Sequence, residues 1–206
     1  PPPPPPPPFF FSTPPRQSPM LRSLVGSEMC IRDSLGCGDK IIPNFTNIDI
    51  RPMKGVDLVE DISNLNQINN DSIELIYACH VLEHFGRREY LKILSRWFEV
   101  LNSGGVLRLA VPDFEKVVKH YTENKDLKKI MGFMYGGQTY EQNYHYCTWD
   151  FQSLSEDLKS IGFKKVYRYD WRETEHSEID DFSQAYLPHM DKENGELMSL
   201  NIEAIK

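Results

Sequence analysis

The sequence lacks any apolar run long enough to cross a membrane, and it lacks any cluster of basic residues. No stretch approaches the roughly 18 consecutive apolar residues that a spanning helix needs, so we expect no membrane partner. Lys and Arg number 23 against 30 Asp and Glu, which gives a net charge of −7. Because no positively charged stripe is present to follow a phosphate backbone, we also expect no nucleic-acid partner.

Cysteine is scarce as well, and its spacing excludes two classes of small stabilised domain. The four cysteines are Cys30, Cys37, Cys79 and Cys147, and none of them forms a C-x-x-C pair. This argues against a disulfide framework and against cysteine-bound zinc. Reduced thiols are typical of a cytoplasmic protein, which is the location we expect. A chain of 206 residues, 40% of them hydrophobic, is long enough for one domain with its own core.

The first 34 residues differ in character from the rest. Pro1–Pro8 is a homopolymer, and residues 23–34 read SLVGSEMCIRDS, which resembles translated sequencing-adapter sequence. Such a segment offers no amphipathic face to bury. We interpret residues 1–34 as non-native and disordered, and we expect the folded domain to span residues 35–206 with a truncated first strand. The alternative is a native Pro-rich tail that recruits a partner domain.

Strand and helix patterns alternate through the rest of the chain. We predict strands over residues 47–50, 56–59, 72–79, 106–111, 165–169 and 200–205, and helices over 87–101, 114–121, 127–134 and 151–161. Gly104-Gly105 marks the predicted end of the 87–101 helix, whereas Asp150 and Gly162 bracket the last one. Such alternation predicts a doubly wound α/β fold with a mainly parallel sheet.

A glycine-rich turn is followed by acids at the ends of successive predicted strands. The turn is Leu35-Gly36-Cys37-Gly38, and Asp49 and Asp61 follow the next two strands. Glycine lets the backbone approach a ligand closely, and the carboxyl ends of parallel strands meet at one edge. This pattern predicts a site for an adenosine-containing cofactor. A dinucleotide fits less well, because its motif needs a glycine where Ile41 stands and an acid about 20 residues further on.

These motifs, with HVLEH at residues 80–84, the Gly104-Gly105 turn and VPD at residues 111–113, resemble the small type 11 group of class I S-adenosylmethionine-dependent methyltransferases. The resemblance extends from Leu35 to Lys206. It implies a Rossmann-like sheet with an antiparallel last strand, S-adenosylmethionine as cofactor, and methyl transfer to a small-molecule or saccharide acceptor. A family member that binds the cofactor without catalysis is an alternative.

The resemblance also implies roles for individual residues. Asp49 would accept hydrogen bonds from the ribose hydroxyls, Asp61 would meet the adenine amino group, and Cys79 and His80 would lie beside the methionine portion. The predicted cofactor-binding residues are Leu35, Gly36, Cys37, Gly38, Asp49, Ile50, Asp61, Ile62, Cys79 and His80. For Asp49 the alternative is a solvated acid at the strand end that caps a turn, and for Asp61 it is an acid in a loop without a binding role.

Two positions depart from the family pattern. Ser34 stands where the family often has an acid, and Lys40 stands where it often has a third glycine. We therefore expect a contact at the methionine end of the cofactor to be weakened or supplied by another group.

The HVLEH motif also matches the inverted zinc-protease pattern H-x-x-E-H, which makes a zinc hydrolase a further alternative. Zinc would need His80 and His84 on one helical face, with Glu83 as general base. His80 directly follows a predicted buried strand, so this helical phasing is not expected. We therefore predict no metal, and we expect His84 to begin a helix away from the acceptor.

A loop rich in aromatic and amide residues follows the third predicted helix, over residues 136–149. Loops beyond the carboxyl edge commonly form the substrate side of such pockets. His145 is the predicted general base, because imidazole titrates near neutrality. The predicted substrate-side residues are Gln138, Asn143, Tyr144 and Trp149.

An acidic run extends from Glu173 to Asp181, and we predict that it forms a solvated loop. No pattern indicates an obligate protein partner.

Overall fold

The strands and helices largely follow the predicted alternation. The computed structural model describes residues 31–206, so the interpretation of residues 1–30 lies outside the described part of the chain. The strands are β1 (Arg32–Leu35), β2 (Thr46–Asp49), β3 (Leu58–Val59), β4 (Ile73–Cys79), β5 (Leu101–Pro112), β6 (Lys165–Arg168), β7 (Tyr186–Leu187), β8 (Glu196–Leu197) and β9 (Ser199–Ile205). The helices are α1 (Tyr90–Val100), α2 (Phe114–Asn124), α3 (Leu127–Tyr135) and α4 (Phe151–Ile161).

Seven of these strands form one sheet in the order β3-β2-β1-β4-β5-β9-β6. The first five run parallel, whereas β9 pairs antiparallel with both β5 and β6. The Rossmann-like fold class and its antiparallel last strand are therefore confirmed. The chain progresses outward in both directions from the β1–β4 pair, which makes this pair the switch point of the sheet.

The first strand begins at Arg32, before the domain boundary that we predicted at Leu35. Asp33 and Ser34 pair with β2 on one side and with β4 on the other. Residues 32–34, which the sequence analysis assigned to the non-native segment, thus form part of the central strand. Ladder hydrogen bonds come from the backbone, so even polar residues can fill this position in the sheet.

Helices α1 and α4 cover one face of the sheet and contribute fully buried side chains to its core. Leu94 and Trp97 of α1 are fully buried together with Leu154 and Leu158 of α4. Trp97 also donates its indole N–H to the backbone oxygen of Ile62 at 2.8 Å, which satisfies the buried donor. No helix in residues 31–206 is long and apolar enough to cross a bilayer.

The two ends of α4 agree with the sequence prediction. Asp150 caps the first turn by accepting from the backbone N–H of Ser153 at 2.8 Å, and the Ser153 side chain accepts from the Asp150 N–H in return. Gly162 ends the helix with a φ of +129°, a conformation that favours glycine. Local capping chemistry therefore sets the two ends of this helix.

The prediction that Gly104-Gly105 ends the preceding helix was wrong. Helix α1 ends at Val100, and the chain passes directly into β5. The glycine pair lies in an irregularity of the ladder, where Leu101 and Val106 of β5 face Ile73 and Leu75 of β4. Gly104 has a φ of +83°, so the pair serves a bulge instead of a helix terminus.

The central strand carries a buried acid. Asp33 is 1% exposed, and its Oδ2 accepts no hydrogen bond from the residues that the structure describes. Burial raises the pKa of this carboxyl to about 6, although a hydrogen bond from Thr46 opposes the shift. An ionised carboxylate at this position destabilises the fold, because no charged group among residues 31–206 neutralises it.

We expect Asp33→Asn to stabilise the protein at neutral pH but not in acid. The folded-state pKa of about 6 lies above the ordinary value of 3.8, so the stability that protonated Asp33 contributes is lost as pH rises through about 6. At pH 7.5 this loss amounts to about 3 kcal/mol, and it disappears near pH 4. Urea unfolding at both pH values measures the difference between parent and variant.

Glu74→Gln is the matched control, since Glu74 is an exposed carboxylate on neighbouring β4. Its difference from the parent should not change with pH in the same way. A parent–Asp33→Asn difference that stays constant between pH 4 and pH 7.5 would contradict the argument.

Candidate functional site

A cavity of about 640 Å³ opens at the carboxyl ends of β1 and β4. It lies at the switch point of the sheet, where doubly wound folds bind their ligands. The glycine turn forms one wall, and the end of β4 together with the loop after α3 forms the others. The predicted site residues that line it are Leu35, Gly36, Cys37, Gly38, Cys79, His80, Asn143 and His145.

The turn after β1 requires glycine at its first position. Gly36 has a φ of +64°, and a Cβ there would lie 2.7 Å from Cγ2 of Val81. Both the backbone conformation and the close approach therefore exclude a side chain. Gly38, with a φ of +56°, directs its backbone N–H at Oδ2 of Asp49 over 2.9 Å. The turn and the end of β2 are thus joined directly.

Asp49 is buried at the end of β2, but Arg51 covers its carboxylate. Oδ1 accepts from the backbone N–H of Arg51 at 2.9 Å and from its Nε at 3.1 Å. Burial alone would raise the pKa of this carboxyl, but the hydrogen bonds from Arg51 and Gly38 lower it below the usual range. The Arg51 guanidinium lies over the ring of Tyr140 at 5.6 Å and lines the cavity with it. Sequence reasoning missed both residues, because a lone Arg and a loop Tyr carry no motif.

Three residues predicted on the adenine side do not line the cavity. Asp61 is exposed and caps its own turn, accepting from the backbone N–H of Ser63 at 2.9 Å. Ile62 packs in the core, and Ile50 is 55% exposed. Their contacts with a cofactor stay predictions.

His80 adopts a left-handed conformation with a φ of +50° immediately after β4. Its Nδ1 lies 3.1 Å from Oε1 of Glu83, and its Nε2 lies 3.2 Å from Oγ of Ser199. The helical phasing that a zinc protease would need between His80 and His84 is therefore not formed. A single 3₁₀ turn, Leu82–His84, follows instead.

Glu83, His84 and His145 lie together on one wall of the site. The rings of His84 and His145 are 4.9 Å apart, and Nε2 of His145 lies 4.0 Å from Oε1 of Glu83. Our expectation that His84 would point away from the acceptor was wrong, since both histidines line the cavity. The reason is that the backbone oxygen of Glu83 accepts from the N–H groups of Tyr146 and Cys147, which draws the loop onto the 3₁₀ turn.

Glu83 and His145 both have lowered pKa values, with different consequences for their charge. Burial alone would raise the pKa of Glu83, but the neighbouring His80, His84 and His145 lower it below the usual range. Burial lowers the pKa of His145 below its ordinary value of 6.5, although Glu83 opposes that shift. At neutral pH, Glu83 is therefore an anion and His145 is a neutral imidazole.

Of the four predicted substrate-side residues, Asn143 alone lines the cavity. Trp149 is 4% exposed and packs edge-on against Tyr90 in the core, so that prediction was wrong. Its ring completes the hydrophobic layer beside α1, where burial outweighs any recognition role. Gln138 bonds to the backbone of its own turn, and Tyr144 contributes its backbone oxygen to His84.

The acidic run was predicted to form a solvated loop, but one of its members, Asp181, is buried. Asp181 accepts from the hydroxyl of Tyr77 at 2.7 Å and from Oγ of Ser183 at 2.6 Å. It lines the cavity together with Phe182. The one signal in the sequence was Tyr77, a hydroxyl within a buried strand that had to find a partner.

Comparison with known proteins identifies solved structures that share this architecture. No protein-family model matches the chain, and no curated protein matches it. Among solved structures, it is similar to an S-adenosylmethionine-dependent methyltransferase of Archaeoglobus fulgidus, with a TM-score of 0.52 and 13% identity over 86% of both chains. The fold is that of class I S-adenosylmethionine-dependent methyltransferases.

Two further neighbours share this methyltransferase fold. The Burkholderia thailandensis 1,6-didemethyltoxoflavin-N1-methyltransferase was solved with 1,6-didemethyltoxoflavin and S-adenosylhomocysteine bound. It has a TM-score of 0.54 and 14% identity over 85% of this chain and 70% of that one. A Haloferax volcanii protein was solved in complex with the Trm112 methyltransferase activator, with a TM-score of 0.50 and 13% identity over 86% and 83% of the two chains.

We expect Gly36→Ala to destabilise the protein by about 2–5 kcal/mol. A side chain in the left-handed region is strained by about 1–2 kcal/mol, and the clash with Val81 adds an overpacking penalty of about 1–3 kcal/mol. Gly104→Ala is the control, because Gly104 also has a positive φ but no described atom lies within 4 Å of the place that a Cβ would take. Urea unfolding should show a clearly larger loss for Gly36→Ala, and equal losses would refute the close-approach argument.

Proposed function

We propose that this chain transfers a methyl group from S-adenosylmethionine to a small-molecule acceptor. The observation that carries the proposal is the junction of the glycine turn with Asp49, where Gly38 donates to the carboxylate at 2.9 Å beside the cavity. A volume of about 640 Å³ lies within the range of small-molecule sites. The small-molecule ligand of the Burkholderia neighbour supports the acceptor class, and a saccharide is the alternative.

The residues at the sheet edge fit an adenosine-bearing cofactor. Gly36 leaves the backbone open for close approach, and Asp49 offers carboxylate oxygens suited to ribose hydroxyls. When bound, this cofactor supplies an electrophilic methyl group on a sulfonium sulfur. The contribution of the chain is to hold an acceptor in line with that methyl group and to exclude water.

Arg51 is a competitor for the same carboxylate. The guanidinium and backbone N–H groups of Arg51, with the N–H of Gly38, engage both oxygens of Asp49. Ribose hydroxyls that bind Asp49 would therefore replace the side-chain bonds of Arg51. The guanidinium is partly exposed, so it can turn toward solvent at little energetic cost.

His145 is our candidate for the group that receives the proton of a hydroxyl acceptor. Its neutral imidazole lines the same cavity as the glycine turn. Removing a general base typically slows turnover by a factor of about 10² to 10⁴. Such a loss should leave cofactor affinity unchanged.

The proposal also includes membership of the type 11 group, a cytoplasmic location and a non-native segment before the domain. The group assignment is supported by the motifs that follow Leu35, with one informative departure. Ser34, where the family often has an acid, lines the cavity with a neutral hydroxyl. No charge from that position would hold the amino group of the cofactor.

We expect S-adenosylhomocysteine to bind, and Asp49→Ala to weaken that binding about 10- to 150-fold. This range corresponds to the roughly 1.5–3 kcal/mol of hydrogen bonds to a charged group. Isothermal titration calorimetry measures the affinity, and Glu74→Ala is the control for loss of a remote carboxylate. At 100 times its dissociation constant the ligand should add about 2.7 kcal/mol to stability. The absence of both a heat of binding and a shift in melting temperature at millimolar ligand would argue decisively against the proposal.

We expect Arg51→Ala to tighten S-adenosylhomocysteine binding by up to about fivefold. Breaking a partly exposed ion pair costs about 0.2–1 kcal/mol, and the variant no longer has to break it. Lys54→Ala removes an exposed positive charge from the same segment and should leave the affinity unchanged. Weaker binding by Arg51→Ala would mean that the guanidinium contacts the ligand instead of competing with it.

A further inference from the structure

Glu83 is a buried carboxylate without a well-formed partner. Its side chain is 0% exposed, and neither oxygen accepts a hydrogen bond from any residue in 31–206. His80 approaches Oε1 at 3.1 Å, but its ring is misaligned for a hydrogen bond. A buried anion in this state is strongly destabilising unless a cation accompanies it. The methyl-transfer proposal gives this residue no role.

The two histidines beside Glu83 are held in one tautomer. Nδ1 of His84 lies 3.0 Å from the backbone oxygen of Tyr144, and Nδ1 of His145 lies 3.0 Å from that of Phe133. A carbonyl oxygen can only accept, so Nδ1 carries the proton in both rings. In a neutral ring, Nε2 is then left with a free lone pair. Histidines that bind metals are typically oriented in this way by a backbone carbonyl.

The three side chains converge on one point. One donor atom each from Glu83, His84 and His145 lies within 4.8 Å of the other two. Bonds of about 2.1 Å in a tetrahedral site need donors about 3.4 Å apart, so modest side-chain movement closes the site. Two imidazoles and a carboxylate suit divalent transition metals, and three protein ligands leave a position open.

We propose that Glu83, His84 and His145 bind a divalent transition-metal ion at the wall of the cavity. The arrangement differs from the zinc-protease pattern, because Glu83 is a ligand here and His80 is not. His80 instead lies between Glu83 and Ser199, with its Nδ1 3.1 Å from Oε1 of Glu83. The ion would supply the positive charge that Glu83 lacks.

The site opens where an acceptor would lie. His84 and His145 line the same cavity as Gly36 and Gly38. Resting on the proposed methyl transfer, we assign the open position of the ion to an oxygen of the acceptor, a hydroxyl or a carboxylate. A hydroxyl bound to a divalent cation loses its proton to water more readily than a free one. His145 would then act as a ligand, and the ion would take over the task that we assigned to a base.

Metal binding can be measured without any acceptor. The tag-free chain is treated with EDTA, dialysed, and titrated with cobalt(II), whose visible absorption reports the coordination geometry, and then with zinc(II) by calorimetry. We expect one ion per chain and a rise in melting temperature with zinc. Glu83→Gln and His84→Gln should each weaken binding at least about 100-fold.

His189→Ala is the matched control, because His189 is exposed and is not one of the three clustered residues. Circular dichroism of each metal-free variant verifies folding, and His145→Ala replaces any variant that fails to fold. Absence of stoichiometric binding, or unchanged binding by Glu83→Gln, would overturn the proposal. In that case the cluster is a carboxylate neutralised by protonated histidine.

The two proposals fail separately. S-adenosylhomocysteine is titrated into the EDTA-treated chain, so that cofactor binding is tested without metal. Cofactor binding without cobalt binding would remove the metal site and leave the methyl-transfer proposal intact. Cobalt binding without cofactor binding would remove the methyl-transfer proposal and leave the metal site intact. If both are present, screening of hydroxyl-bearing acceptors with and without zinc tests the assigned role, and turnover that EDTA does not reduce would overturn it.

Discussion

The position of β1 between β2 and β4 is the constraint on which the site depends. From β1 the chain continues to β2 on one side, and from β4 it continues to β5 on the other side. The carboxyl ends of β1 and β4 therefore leave a gap that no connection crosses. The gap becomes a cavity because Gly36 turns the chain sharply against Val81. Cys79, at the end of β4, lines this cavity, and Asp49, at the end of β2, is bonded to the backbone of Gly38 in the turn.

Sequence reasoning succeeded where the signal is local or periodic. The alternation of strands and helices gave the sheet class, and the capping residues Asp150 and Gly162 bounded α4 because their chemistry acts within one turn. The link between the glycine turn and Asp49 followed from a rule of parallel sheets that needs no knowledge of packing. Sequence reasoning failed at Gly104, because a glycine is suited to a β-bulge as well as to the end of a helix.

The rest of the site depends on contacts between distant segments. Nothing near Glu83 in the sequence indicates that residues 143–147 fold onto it, so the remote position that we expected for His84 was wrong. Trp149 illustrates the same limit, because an aromatic loop residue suits either recognition or packing until its neighbours are known. Asp181 looked solvated within an acidic run, yet the buried hydroxyl of Tyr77 captures it. The chemistry of an individual side chain can be predicted from the sequence. Which side chains meet depends on how the fold brings distant segments together.

The backbone oxygen of Glu83 has a consequence for how the site opens. It accepts the N–H groups of Tyr146 and Cys147, so the aromatic loop is fastened to the residue that holds the buried charge. Lifting the loop breaks these bonds and lets water reach the carboxylate in the same movement. Any movement of this loop is therefore coupled to hydration of the anion, and in the structure as it stands the carboxylate is shielded from water.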